Sequence, residues 1–126
     1  MNIKKIHHIA IIVSDYEKSK RFYVEKLGFK IIRENYRRDR DDYKLDLELD
    51  CCELEIFSGK DNPKRASYPE ACGLRHLAFW VDDIEAVAEE LNYKGIETEP
   101  IRIDEITGKR MTFFSDPDGL PLELHE

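Results

Sequence analysis

An α+β fold of two tandem βαβββ modules is what this sequence predicts. Three observations carry that expectation: β-branched runs of strand length, cap residues followed by helically spaced apolar positions, and the near-repetition of HIAIIVSD (residues 8–15) as HLAFWVDD (residues 76–83). At 126 residues the chain suits one ordinary domain, or two very small halves sharing a core, and is too short for a multidomain enzyme. With 41% hydrophobic and 37% charged residues, and only 6 Gly and 5 Pro, it is not a disordered, collagen-like or linker-dominated chain.

The first strand is expected over residues 6–13. Ser14 and Asp15 then offer N-caps to a helix whose Tyr16, Ser19, Phe22, Tyr23 and Leu27 share one face, with Gly28 as its stop. Three strands follow, over residues 29–34, 44–50 and 52–58. The charged segment 35–42 (NYRRDRDD) reads as a solvated connection between the first two of these. After the turn-rich stretch GKDNPKRASYPEACG, the pattern restarts with a strand over residues 74–81. Asp82 and Asp83 open a second helix with Ile84, Val87, Ala88 and Leu91 as its apolar stripe, ending near Gly95. Strands over residues 96–98, 110–115 and 121–125 complete the second half, the last two joined by the turn Asp116-Pro117-Asp118-Gly119. The chain is thus one domain, with a first module over about residues 4–58, a linker over about 59–73 and a second module over about 74–126.

Side chains alternate across a strand, so each face can be read separately. Ile9, Ile11 and Val13, like Leu77, Phe79 and Val81, suit packing under the helices. The opposite faces carry His8 and His76, and in the last strand of each module Glu55 and Glu123 stand opposite Leu54, Ile56, Leu122 and Leu124. His8 and His76 lie 68 residues apart, as do Glu55 and Glu123. Bare carboxylates on a covered face are costly unless paired, protonated or bound to a cation. Two imidazoles and two carboxylates form a mixed donor set suited to one divalent nickel, cobalt, manganese, iron or zinc ion, leaving positions for water or substrate oxygens. His7 is expected to point to the face opposite His8. Trp80 and Phe57 fall on the His and Glu face as a candidate apolar wall, and Tyr68 and Cys72 read as linker residues.

Twenty Lys and Arg against 27 Asp and Glu give a net charge of −7, which disfavours nucleic acid and anionic membrane surfaces as partners. With no long apolar segment and no leader-like start, the protein is expected to be soluble and cytoplasmic. Cys51, Cys52 and Cys72 form neither an even disulfide framework nor a metal knuckle, and are expected to be reduced.

The duplicated module, with His near the start and Glu in the last strand of each half, resembles the vicinal oxygen chelate superfamily, and within it glyoxalase I, the lactoylglutathione lyases. The resemblance runs from HHIAIIVSDYEKSKRFYVEKLGF through LELEIF and PEACGLRHLAFWVDDIEAV to FFSDPDGLPLELHE. It implies the glyoxalase/bleomycin resistance/dihydroxybiphenyl dioxygenase-like fold, with metal positions at His8, Glu55, His76 and Glu123. It further implies a lyase or isomerase acting on an α-oxoaldehyde thiol adduct or related small carbonyl through an enediolate. Glu123 is the first choice for the catalytic base and Glu55 the symmetric alternative. It also implies a homodimer in which one chain gives His8 and Glu55 and the other His76 and Glu123, although pairing within one chain remains open. Extradiol dioxygenases and fosfomycin-inactivating enzymes resemble a two-His, one-Glu pattern, and methylmalonyl-CoA epimerases have Gln at the position of Glu55, so four donors tilt the reading to glyoxalase chemistry. The alternatives are a metal-free binder of the bleomycin-resistance type and a thiol transferase of the fosfomycin-resistance type. The glutathione anchors of glyoxalase I are missing: Ile12 stands where an arginine is expected and Gly59 where an asparagine is. Arg37, Arg38, Lys109 and Arg110 are the replacement candidates for holding an anion.

Overall fold

The structure, a computed structural model, describes residues 1–126. It divides into two compact units, Met1–Pro63 and Lys64–Glu126. Each holds a four-stranded mixed sheet, ordered β1-β4-β3-β2 in the first unit and β5-β8-β7-β6 in the second.

In the first unit, β1 (His8–Val13) runs parallel to β4 (Glu53–Ser58), while β3 (Asp42–Glu48) runs antiparallel to both β4 and β2 (Ile31–Arg37). Asp15 caps α1 (Tyr16–Lys20), its carboxylate accepting the Lys18 N–H. From Arg21 to Lys26 the helix widens into a π-helical segment. That widening departs from the single α-helix expected. It lets the adjacent rings of Phe22 and Tyr23 both turn inward, where they are buried. Gly28 ends the segment at φ 80°, a backbone state natural to glycine. Leu45, Leu47, Leu54 and Ile56 are fully buried on the helix-facing side, and Tyr16 reaches from α1 to Glu34 on β2 with a 2.6 Å hydrogen bond.

The charged segment 35–42 is exposed or half-buried, as expected, but half of it is strand and not connection. β2 extends to Arg37 and β3 begins at Asp42, leaving a short turn between them. Opposite charges and aromatic rings placed directly across the ladder hold the ends together. Arg37 grips Asp42 through two nitrogens, and the rings of Tyr36 and Tyr43 lie 5.2 Å apart.

The second unit repeats the plan with β5 (Leu77–Trp80), α2 (Ile84–Tyr93), β6 (Arg102–Ile103), β7 (Arg110–Ser115) and β8 (Pro121–His125). β5 pairs with β8 in parallel, and β7 pairs antiparallel with β8 and β6. Asp83 caps α2 through the Ala86 N–H, and Ile84, Ala88 and Leu91 are buried alongside Leu122 and Leu124. The strand expected over residues 96–98 does not form. Asn92, at the end of α2, accepts the Thr98 N–H and donates to the Thr98 hydroxyl, occupying groups a ladder would have used. The sixth strand comes later, as the two residues of β6. All three cysteines are free thiols, and no helix is long and apolar enough to cross a membrane.

Candidate metal centre

The register explains how each unit brings a histidine to a glutamate. In the first, His8 pairs with Glu53 and Ala10 with Glu55, so the two strands share one face and Glu55 sits one pleat along from His8. Their Nε2 and Oε2 atoms are 3.7 Å apart. In the second, Ala78 pairs with Glu123, and His76, just before β5, reaches Oε2 of Glu123 at 2.9 Å. Glu123 is buried, only 6% exposed, and the edge of Phe113 stands against the His76 ring at 5.3 Å.

These distances bear on whether a divalent ion fits. Two donors held about 2.1 Å from one ion lie roughly 3.0 Å apart at right angles and roughly 3.4 Å apart at the tetrahedral angle. The His76–Glu123 pair already has that separation, and the His8–Glu55 pair is a few tenths of an ångström more open. Imidazole nitrogen with carboxylate oxygen is also a chemically apt donor set.

His7 departs from expectation. It lies outside β1, and its ring meets His8 edge to face with the two Nδ1 atoms 2.9 Å apart, because the alternation of a strand does not yet govern the residue before it. It is a direct contact of His8.

Around Glu55 the structure adds residues that the sequence reading passed over. Lys44 and Asp46 on β3 lie on the same face, with Asp46 directly across from Glu55. Lys44 Nζ contacts Asp46 at 2.7 Å and Glu55 at 3.1 Å, while Arg33 contacts Asp46 at 2.8 Å and Glu53 at 2.5 Å. The carboxylates of Asp46, Glu53 and Glu55 bring oxygens within 4.8 Å of one another, but this acidic trio is already shared by two cations. Burial alone would raise the Asp46 pKa. The hydrogen bonds from Lys44 and Arg33 outweigh it and hold the carboxyl below its ordinary range. The alternation in KLDLE, with Lys44, Asp46 and Glu48 between buried leucines, was the available signal.

The other candidates separate clearly. Arg110 is engaged by Glu126 at 2.6 Å and by Glu85 at 3.0 Å, and Arg38 and Lys109 are exposed. Arg37 lies 4.8 Å over the Phe57 ring on the His8 face. Trp80 pairs with His125 on the Glu123 face and is 72% exposed. Tyr68 and Cys72 are exposed.

The sequence profile of the Glyoxalase/Bleomycin resistance protein/Dioxygenase superfamily matches residues 5–124. The chain belongs to this superfamily. A solved glyoxalase family protein from Enterococcus faecalis is 63% identical to this superfamily member, covers both chains completely and superposes with a TM-score of 0.93. Metallothiol transferase FosB of Staphylococcus saprophyticus is 31% identical, over 98% of this chain and 77% of its own length. A probable lactoylglutathione lyase of Vibrio cholerae is 28% identical, over 98% of this chain and 91% of its own. The fold is accordingly the βαβββ fold of the superfamily, whose members often bind a divalent metal.

Proposed function

We propose that this protein is a metal-dependent lyase or isomerase resembling glyoxalase I, acting on an α-oxoaldehyde thiol adduct or a related small carbonyl. The single observation that carries the reading is the contact of half-buried His76 with buried Glu123 at 2.9 Å, repeated in register as His8–Glu55. His8, Glu55, His76 and Glu123 would hold one nickel, cobalt, manganese, iron or zinc ion. When bound, such an ion supplies Lewis acidity that lowers the energy of a substrate deprotonated beside its carbonyl. Glu123 would take that proton on a carboxylate oxygen and return it to the adjacent carbon, while His76 keeps the carboxylate oriented. We also propose that the site is completed across a homodimer, with His8 and Glu55 from one chain and His76 and Glu123 from the other, and that the protein works in the cytoplasm.

A second reading has its own support. Lys44 competes for Glu55, which leaves His8, His76 and Glu123 as a three-donor set, and the 31% identical relative is a metallothiol transferase. A metal-free binding protein of the antibiotic-sequestering type is the third.

Elemental analysis of protein purified without added metal, combined with turnover of the methylglyoxal adducts of several cellular thiols, tests these together. One divalent ion per pair of His–Glu units, with isomerase activity, supports the first reading. Stoichiometric metal that survives Glu55→Ala with thiol-transfer activity intact favours the second, and protein that takes up no metal supports the third. A species of only 14.9 kDa by light scattering would refute the shared site.

A further inference from the structure

Among the four His and Glu residues of the proposed site, His76 alone lies outside a strand. His8, Glu55 and Glu123 fall within β1, β4 and β8, while β5 begins only at Leu77. The difference between the two histidines traces to one backbone donor. In the first unit the Glu53 N–H donates to the His7 carbonyl at 3.1 Å, which carries the parallel ladder past His8. The repeat interval of 68 residues that relates His8 to His76 also relates His7 to Arg75 and Glu53 to Pro121. Proline has no N–H, so the equivalent bond to the Arg75 carbonyl cannot form. The register agrees. Leu77 pairs with Leu122, and the Val81 N–H donates to the His125 carbonyl at 2.9 Å, so the odd-numbered residues of β8, Pro121 included, turn their backbone groups toward β5.

A side chain stands in for the missing donor. Arg65, half-buried in the segment that leads from β4 to β5, donates from Nη2 to the carbonyls of Leu74 at 2.6 Å and Arg75 at 2.8 Å. That nitrogen carries two N–H groups in the rigid plane of the guanidinium, one for each carbonyl. The Arg75 carbonyl shares a planar peptide unit with the His76 nitrogen, so fixing the one orients the other and sets the direction of the His76 side chain. The 2.9 Å contact of His76 with Glu123 and its edge contact with the Phe113 ring both depend on that direction.

We propose that Arg65 is a positioning residue of the second unit: its guanidinium replaces the ladder donor that Pro121 lacks and so holds His76 against Glu123. The positional claim stands with or without a metal, and only its consequence for metal affinity rests on the proposed function.

The test compares the full chain with Arg65→Met, which keeps the aliphatic stem and removes every donor, and with Arg65→Lys, Pro121→Ala and Arg65→Met/Pro121→Ala, each checked by circular dichroism. In chelated protein the readout is the His76 imidazole signal in carbon–proton NMR and its nuclear Overhauser contact with the Phe113 ring. Arg65→Met should shift that signal and lose the contact, and Arg65→Lys should move it less. Pro121→Ala supplies an N–H, so the double variant should recover both, with the new amide at position 121 protected from hydrogen exchange. A residue that merely ties down its own segment would not be rescued from β8. Zinc affinity, read by competition with a chromophoric chelator, should fall about 10–100-fold in Arg65→Met and return in the double variant. Unmoved His76 signals in Arg65→Met, or a loss that Pro121→Ala leaves unrecovered, overturn the proposal. If Pro121→Ala does not fold, Arg65→Lys decides, and a loss as complete as that of Arg65→Met overturns it. Protein that takes up no zinc, nickel or cobalt but shows the expected ring signals removes the metal reading and keeps Arg65. Stoichiometric zinc of unchanged affinity in Arg65→Met, with the ring signals unmoved, does the reverse.

Discussion

The sheets of the two units share one skeleton and differ in what surrounds the glutamate. Across from Glu55, β3 presents Asp46 with Lys44 beside it; across from Glu123, β7 presents Phe113 with Met111 beside it. The first carboxylate therefore sits in a network of ion pairs, and the second has His76 as its one ion-pair partner against an aromatic edge. A buried carboxylate with few compensating charges is the one that gains most from a cation. The repeat thus holds two equivalent carboxylates, and the flanking strand makes their surroundings unequal.

The largest expected effect tests that inequality. Glu123→Gln should cut turnover of the true substrate by at least about a hundredfold with the circular dichroism spectrum unchanged, whereas Glu55→Gln should cost less. Equal losses in kcat would return the two carboxylates to symmetry.

Core truncation asks whether the units contribute equally to folding. Leu54→Ala and Leu122→Ala both empty fully buried positions and should each cost about 2–5 kcal/mol in denaturant melts. A loss confined to one of them would show that a single unit dominates stability.

Acid sharpens the contrast further. Asp46 has a folded pKa below its unfolded value, so its contribution is full above the unfolded pKa of about 3.9 and is lost as pH falls through the folded value. Asp46→Asn should lower stability at pH 7 by roughly 1–3 kcal/mol and flatten the acid limb of the stability curve below about pH 4. An unchanged acid limb would mean that the Arg33–Asp46–Lys44 network is inert.

The smallest effect lies at the helix starts. Asp15→Ala and Asp83→Ala remove equivalent caps, and each should cost about 0.5–2 kcal/mol in thermal melts, alike in the two units. A difference larger than that range would show that one helix leans on its cap more than the other.

How much was legible depended on the kind of signal. Alternation in β1, β4 and β8 located His8, Glu55 and Glu123 on their faces because a period of two is strictly geometric, and the repeat pointed to His76, one residue before β5. Cap residues and Gly28 marked the helix limits for the same local reason. Charge density rightly suggested solvent at residues 35–42 but hid the strand ends there, where the ladder pairs Arg37 with Asp42. Strand propensity misled at residues 96–98, where β-branched residues lost their strand to the side chain of Asn92.

The sequence alone determined the repeat, the two His–Glu pairs and the apolar faces, since spacing and alternation act between residues close along the chain. Tertiary structure decided the partners of those glutamates. Lys44 and Arg33 converge on the acidic trio, Phe113 stands beside His76, and Asn62 enters the space above Gly59, because each contact depends on strand register or loop path and not on local propensity.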